Sequence, residues 1–107
     1  APAVTKAIAY IDENYMKQPG LESISKAAGV SSQHLCRLFR QTLNCRPMEY
    51  ITKRKIQAAK MLLAETQKTV DQIAEETGFC DSSYFCKIFK RFESITPSQF
   101  RNAEQAL

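Results

Sequence analysis

Side chains able to bond the edges of DNA bases recur at helical spacing between residues 32 and 43. Gln33, Cys36, Arg37 and Arg40 follow one another at intervals of three and four, so they would share one face of a helix. An Arg side chain can bond O6 and N7 of guanine, and a Gln side chain can bond N6 and N7 of adenine. This pattern is typical of a helix that enters the major groove of DNA.

A second face of this kind follows later in the chain. On a helix predicted from about 82 to 92, the outward residues are Ser82, Ser83, Tyr84, Cys86 and Lys87. Fewer of these side chains can make paired hydrogen bonds with one base. We therefore expect the first face to discriminate between DNA sequences, and the second to contribute more backbone binding and shape fit.

Both faces belong to an internal repeat that covers residues 21–50 and 70–100. The matching scaffold positions are Ile24/Ile73, Gly29/Gly78, Phe39/Phe89 and Pro47/Pro97. A repeat of this length indicates a duplicated structural unit, and each copy reads as helix, glycine turn, helix. Because the scaffold positions match while the outer faces differ, we expect one monomeric domain to read an asymmetric operator.

Positive charge is concentrated in the middle of the chain. The 107 residues include 15 Lys or Arg and 11 Asp or Glu, for a net charge of +4. Between residues 31 and 60 there are seven Lys or Arg and one acid, so this window alone carries +6. A basic stripe on an otherwise balanced domain favours nucleic-acid binding, although a solvated helix face would give the same pattern.

Apolar periodicity predicts seven helices and no strand, and hence an all-α fold. The predicted ranges are about 3–17, 22–28, 32–43, 47–64, 70–76, 82–92 and 97–103. Ser31, Asp81 and the capping boxes that begin at Thr69 and Thr96 mark helix starts. Periodicity places the following residues on inner faces: Leu21, Ile24, Ala27, Ala28, Leu35, Leu38, Phe39, Thr42, Phe85, Ile88, Phe89 and Phe92.

These helices divide the chain into a first helix-turn-helix subdomain (1–46), a linker helix (47–64) and a second helix-turn-helix subdomain (65–107). The linker helix would be roughly 27 Å long. Major-groove segments on one face of DNA recur every ~34 Å, and a rigid connector of this length, with the packed helices at its ends, can hold two units near that spacing. If it falls short, the DNA must bend to meet both units. The chain begins with Ala1-Pro2, and we expect it to be excised from a longer regulator.

Three sequence blocks between residues 73 and 101 are specific enough to suggest a family. They read IAEETGF, YFCKIFK and TPSQFR, and Ala59, Leu62 and Leu63 match the A-x-x-L-L pattern of a linker helix. With these blocks the chain resembles the DNA-binding domain of AraC/XylS-type bacterial transcription regulators. The resemblance covers about Val4 to Arg101.

The resemblance implies sequence-specific DNA binding in the regulation of transcription, as an activator, with no enzymatic activity, no cofactor and no metal. It implies base contacts from Gln33, Cys36, Arg37, Ser82, Ser83, Tyr84, Cys86 and Lys87. The candidates for DNA-backbone contacts are Ser32, Arg40, Lys53, Arg54 and Lys90. The implied partners are double-stranded DNA and RNA polymerase, with an upstream sensor or receiver domain, no membrane, and a cytoplasmic location.

Some positions depart from the family pattern. Lys55 stands where Arg is common, which puts a buried or bidentate ion pair there in doubt. Asn44 and Ser94 replace glycines that commonly follow the two recognition helices, and Asn tolerates a left-handed backbone better than Ser. Cys36 and Cys86 are weak hydrogen-bond partners, so apolar contact with a thymine methyl is expected from them.

Other functions fit the same residues less well. A helical protein-interaction module that docks on the transcription machinery is the main alternative. An RNA-binding protein would need exposed aromatic rings for base stacking, and only Tyr84 offers one. A DNA-repair protein with a cysteine-rich metal site is a further alternative, but the four cysteines do not occur in C-x-x-C pairs.

Overall fold

The computed structural model describes residues 1–106, in which the chain forms seven α-helices, one 3₁₀ turn and no strand. The elements in chain order are α1 (Pro2–Asn14), the 3₁₀ turn (Tyr15–Lys17), α2 (Leu21–Ala28), α3 (Ser32–Leu43), α4 (Pro47–Glu65), α5 (Val70–Glu76), α6 (Ser82–Glu93) and α7 (Pro97–Gln105). The all-α fold predicted from the sequence is confirmed.

The largest error in the predicted boundaries is at the end of the first helix. α1 ends at Asn14, because the next three residues tighten into the 3₁₀ turn that often finishes a helix. Gln18 then adopts a left-handed backbone with φ of 54°. Later helices run one or two residues past their predicted ends, to Glu65, Glu93 and Gln105.

Side-chain caps begin four helices at the predicted residues. Ser31 and Asp81 each accept a hydrogen bond from the amide three residues further on, at 3.1 and 2.7 Å. Thr69 and Thr96 each form a complete capping box with the Gln three residues further on. These bonds satisfy amides that the first turns of α3, α5, α6 and α7 leave without helical partners.

Left-handed residues end the helices of both helix-turn-helix pairs. Gly29 (φ 77°) and Gly78 (φ 86°) lie in the two turns, where a side chain would be strained. Asn44 (φ 55°) and Ser94 (φ 71°) take the same conformation after α3 and α6. Both recognition helices therefore end on a non-glycine residue with a left-handed backbone.

The chain divides into two compact units, Ala1–Arg54 and a second unit that begins at Lys55. α4 contributes its first part to one unit and its remainder to the other. The first core is formed by Val4, Ala7, Ile11, Ile24, Ala28, Leu35, Phe39, Cys45 and Ile51. The second core is formed by Ile56, Ala59, Leu63, Ile73, Ala74, Phe79, Phe85, Ile88 and Phe89.

Aromatic packing fixes the inner face of each recognition helix. In the first unit the Phe39 ring meets Tyr50 edge-on, with centroids 5.9 Å apart. In the second unit Phe79, Phe85 and Phe89 form a chain of rings with successive centroids 5.0 and 5.7 Å apart. Such pairs add to the stabilisation from buried apolar area, so α6 has a firmly held inner face.

Three residues that periodicity placed in the core are exposed. Ala27 and Thr42 lie at the solvent edges of α2 and α3, and Phe92 in the last turn of α6 is 38% exposed. Each lies near a helix end, where the neighbouring element no longer covers the inner face. Leu21 and Leu38 are only partly buried, at the rim of the first core.

Candidate nucleic-acid interface

The outer face of α3 is open to solvent while two residues at the centre of its inner face are fully buried. Leu35 and Phe39 have no exposed surface, whereas Gln33, Arg37 and Arg40 are exposed. The Ser31 cap fixes the start of the helix, and buried Leu35 and Phe39 hold the helix against the first core. The structure therefore brings the predicted donors of the first unit together on one accessible surface.

Beside this face lies an open cavity of about 330 Å³ that is lined by Cys36, Arg37, Arg40 and Arg46. The sequence placed the first three on one helix face. Arg46 is the residue before α4, and it was counted in the basic stripe without being assigned a contact. Its position in the sequence, shortly after the end of α3, could have indicated that its guanidinium lies near those of Arg37 and Arg40.

Ser32 and Arg54, both predicted to bind the DNA backbone, are partly engaged inside the first unit. The Ser32 hydroxyl lies 3.1 Å from that of Ser25, which is buried in α2. Arg54 Nε donates to Asp12 Oδ1 at 3.2 Å, and its guanidinium lies 4.5 Å from the centre of the Tyr15 ring. These contacts give both side chains a packing role, and their phosphate contacts remain predictions.

The outer face of α6 is also accessible, but it carries less charge. Ser83, Lys87 and Lys90 are exposed, and Ser82 is partly buried. Asp81 caps the first turn of the helix, so Ser82 and Ser83 begin it at fixed positions. In α3 as in α6, polar side chains occupy the outer face at the same places in the repeat.

Tyr84 and Cys86 lie between the outer face of α6 and the second core. Tyr84 is 47% exposed, and its ring centre lies 6.2 Å from that of buried Phe79. Cys86 is partly buried against the second core. Burial raises the pKa of the Cys86 thiol, with a smaller contribution from the Asp71 carboxylate. This shift favours the neutral thiol, which is the form that apolar contact with a base requires.

Lys55 holds the turn of the second helix-turn-helix pair. Its Nζ donates to the Gly78 carbonyl oxygen at 2.9 Å and lies 5.4 Å from the centre of the Phe79 ring. Burial lowers the pKa of Lys55, and within residues 1–106 it pairs with no carboxylate. The ion pair left in doubt by the Arg-to-Lys difference is thus replaced by a hydrogen bond to the backbone.

The described part of the chain offers little for other chemistry. Within it, no three His, Cys, Asp or Glu residues are grouped so that they could hold a metal ion. Cys36, Cys45 and Cys86 are free thiols. None of the helices in residues 1–106 has the length and apolar character needed to cross a membrane.

A family model described as a helix-turn-helix domain matches residues 24–103 of the chain. A solved AraC-type transcriptional regulator from Chromobacterium violaceum shares the fold with a TM-score of 0.91 at 30% identity, over 98% of this chain and 93% of that one. The chain belongs to the AraC-type helix-turn-helix family. As a member of this family, it is a DNA-binding domain of the kind that transcriptional regulators carry.

Curated relatives that act in transcription support the same assignment. The lactose operon transcription activator of Staphylococcus xylosus is 30% identical over 99 residues, which are 92% of this chain and 36% of that protein. AdaA of Bacillus subtilis, a bifunctional transcriptional activator and DNA repair enzyme, is 34% identical over 92 residues, 86% of this chain and 44% of AdaA. The chain thus spans less than half the length of these relatives.

Proposed function

We propose that this chain binds DNA sequence-specifically in transcriptional activation and reads two successive major-groove segments of an asymmetric operator. In this proposal α3 contacts DNA bases through Gln33, Cys36 and Arg37. The base contacts of α6 come from Ser82, Ser83, Tyr84, Cys86 and Lys87. Ser32, Arg40, Lys53, Arg54 and Lys90 bind the DNA backbone. The domain itself catalyses no reaction and uses no cofactor.

The observation that supports this function best is the difference between two outer faces on one repeated scaffold. Gln33 and Arg37 on α3 can each make two hydrogen bonds with one base. The equivalent Ser83 and Lys87 on α6 cannot make such paired bonds as readily. Both faces are accessible, while apolar residues are buried behind each of them, with Phe39 and Phe89 at the same position of the repeat. Two recognition helices with different outer faces imply two half-sites of different base sequence.

Selection of binding sites from a random duplex pool tests this function. We expect a recovered site with two different elements about one helical turn apart, and 1:1 binding of the isolated domain to that site. A palindromic site that binds two copies would contradict the asymmetric operator. Absence of any binding to random-sequence duplex at low salt would contradict the DNA-binding function.

The whole protein in which this domain acts is expected to be larger. We propose an upstream sensor or receiver domain, RNA polymerase as the protein partner, and a cytoplasmic location where the DNA is accessible. The alternative is a helical module that docks on the transcription machinery without reading DNA. Exposed apolar side chains such as Met61, which is 63% exposed, would serve such a protein contact.

A further inference from the structure

The cavity beside α3 collects positive charge from two separate elements. Arg37 and Arg40 come from α3, and Arg46 comes from the residue before α4. In the described residues none of these three guanidinium groups has a carboxylate partner, whereas Arg54 and Arg101 are hydrogen-bonded to groups of the protein. Three like charges around one cavity repel one another, and an anion in the cavity would relieve that repulsion.

The backbone that carries Arg46 is firmly held. The Arg46 amide donates to Glu49 Oε1 at 3.1 Å, and its carbonyl oxygen accepts from the Tyr50 amide at 3.0 Å. Its neighbours Cys45 and Pro47 are buried, while the Arg46 side chain is exposed. The guanidinium therefore projects from a fixed base, which lowers the entropy lost when it binds a ligand.

Comparison of the two repeats shows that Arg46 is a poor choice for helix stability. The equivalent residue of the second unit is Thr96, whose hydroxyl accepts from the Gln99 amide in a complete capping box. Glu49 matches Gln99 and makes the same return bond to the backbone, but Arg46 has no hydroxyl or carboxylate to complete the box. The start of α4 thus lacks the side-chain cap that α7 has, and a cation stands in its place.

We infer that this cavity is a phosphate site, in which Arg46 and Arg40 together hold one backbone phosphodiester of the DNA. Guanidinium groups suit this ligand because their paired N–H donors match two phosphate oxygens. The inference rests on the proposed DNA-binding function and adds to it a contact at Arg46. In the second unit Thr96 stands at the position equivalent to Arg46, so no guanidinium is contributed from that residue.

The variant Arg46→Thr separates binding from folding, because the introduced hydroxyl would complete the capping box with Glu49. We expect its thermal midpoint to rise by about 3–6 °C. We expect its affinity for a random-sequence duplex at 0.1 M salt to fall roughly fivefold, and the slope of log K against log salt to lose about one unit. Lys17→Thr removes the same charge from an exposed residue outside the cavity and should leave the slope near that of the wild type.

The outcomes are distinguishable. Failure of the wild-type domain to bind duplex DNA would refute the proposed function itself. Binding by the wild type with the same salt slope in Arg46→Thr and Lys17→Thr would refute the phosphate site alone. A titration with inorganic phosphate tests whether the cavity binds a free anion instead. Binding would be detected as a change in the NMR chemical shift of the residue 46 amide. Millimolar binding that Arg46→Thr abolishes, without any change in the DNA salt slope, would overturn the assignment to the DNA backbone.

Discussion

The ammonium nitrogen of Lys55 lies 2.9 Å from the carbonyl oxygen of Gly78, the left-handed residue in the turn between α5 and α6. The two residues are far apart in sequence but belong to the same compact unit. The bond ties α4 to the turn that sets the direction of α6. A residue of the long helix therefore positions a recognition helix that it does not belong to.

Replacement of Lys55 by Met should destabilise the protein by about 1–2 kcal/mol. The apolar stem is kept, but the buried Gly78 carbonyl loses its donor, which outweighs the relief of no longer burying a charge. Urea unfolding measures the change in free energy. Lys53→Met, at an exposed position of the same helix, is the control and should stay within about 0.5 kcal/mol of the wild type. Equal effects of the two substitutions would contradict the positioning role.

The stability contribution of Lys55 should depend on pH in the alkaline range. Burial lowers its folded-state pKa, so between that value and the ordinary lysine pKa of about 10.4 the unfolded chain binds more protons at this site. The free energy of unfolding therefore rises with pH across this window. We expect the wild type to gain stability relative to Lys55→Met as pH increases towards 10.4. A difference that stays constant over this range would contradict the pKa shift.

Arg37→Ala tests the reading of bases by α3. We expect a loss of about 1–3 kcal/mol in binding free energy on the selected site, with relaxed preference at one or two base pairs. Competition between the selected site and its single-base variants measures both effects. Lys6→Ala, on the exposed side of α1, is the control and should change neither. Equal weakening on every DNA sequence would instead assign Arg37 to the phosphate site beside Arg46.

Ser94→Gly should stabilise the protein by about 0.5–1 kcal/mol. Ser94 has φ of 71°, a conformation that glycine adopts without steric strain. The gain is partly offset by the greater freedom of glycine in the unfolded chain. Asn44→Gly, at the equivalent position after α3, should gain less because Asn tolerates this conformation. Thermal unfolding of the two variants should rank them in this order, and the reverse order would contradict the strain at Ser94.

Local signals explain why so much of the fold could be predicted from the sequence. The capping box at Thr69 and the cap at Asp81 depend on residues within three positions of each other, so the chain itself shows where α5 and α6 begin. Exposure at helix ends depends on the neighbouring element instead. Periodicity therefore placed Phe92 in the core, although 38% of it is exposed.

Only the part of the candidate site that lies on one helix face could be predicted from the sequence. Gln33 and Arg37 share α3, and the structure exposes them together. Arg46 lies at the same cavity as Arg37 only because the chain turns between α3 and α4, and the contact of Lys55 with Gly78 spans two elements. No residue spacing encodes such proximity. The base and phosphate contacts themselves remain predictions.

Cys36 and Cys86 are both partly buried but border different surroundings, and this difference affects how easily each recognition helix could be retargeted. Cys86 packs against the second core, whereas Cys36 borders an open cavity. A substitution at Cys86 must satisfy both the DNA and the packed interior, so most alternative side chains would be rejected for folding reasons. Substitutions at Cys36, which is also partly buried but borders the open cavity, face a weaker restriction. New operator preferences should therefore be easier to evolve or engineer through α3 than through α6.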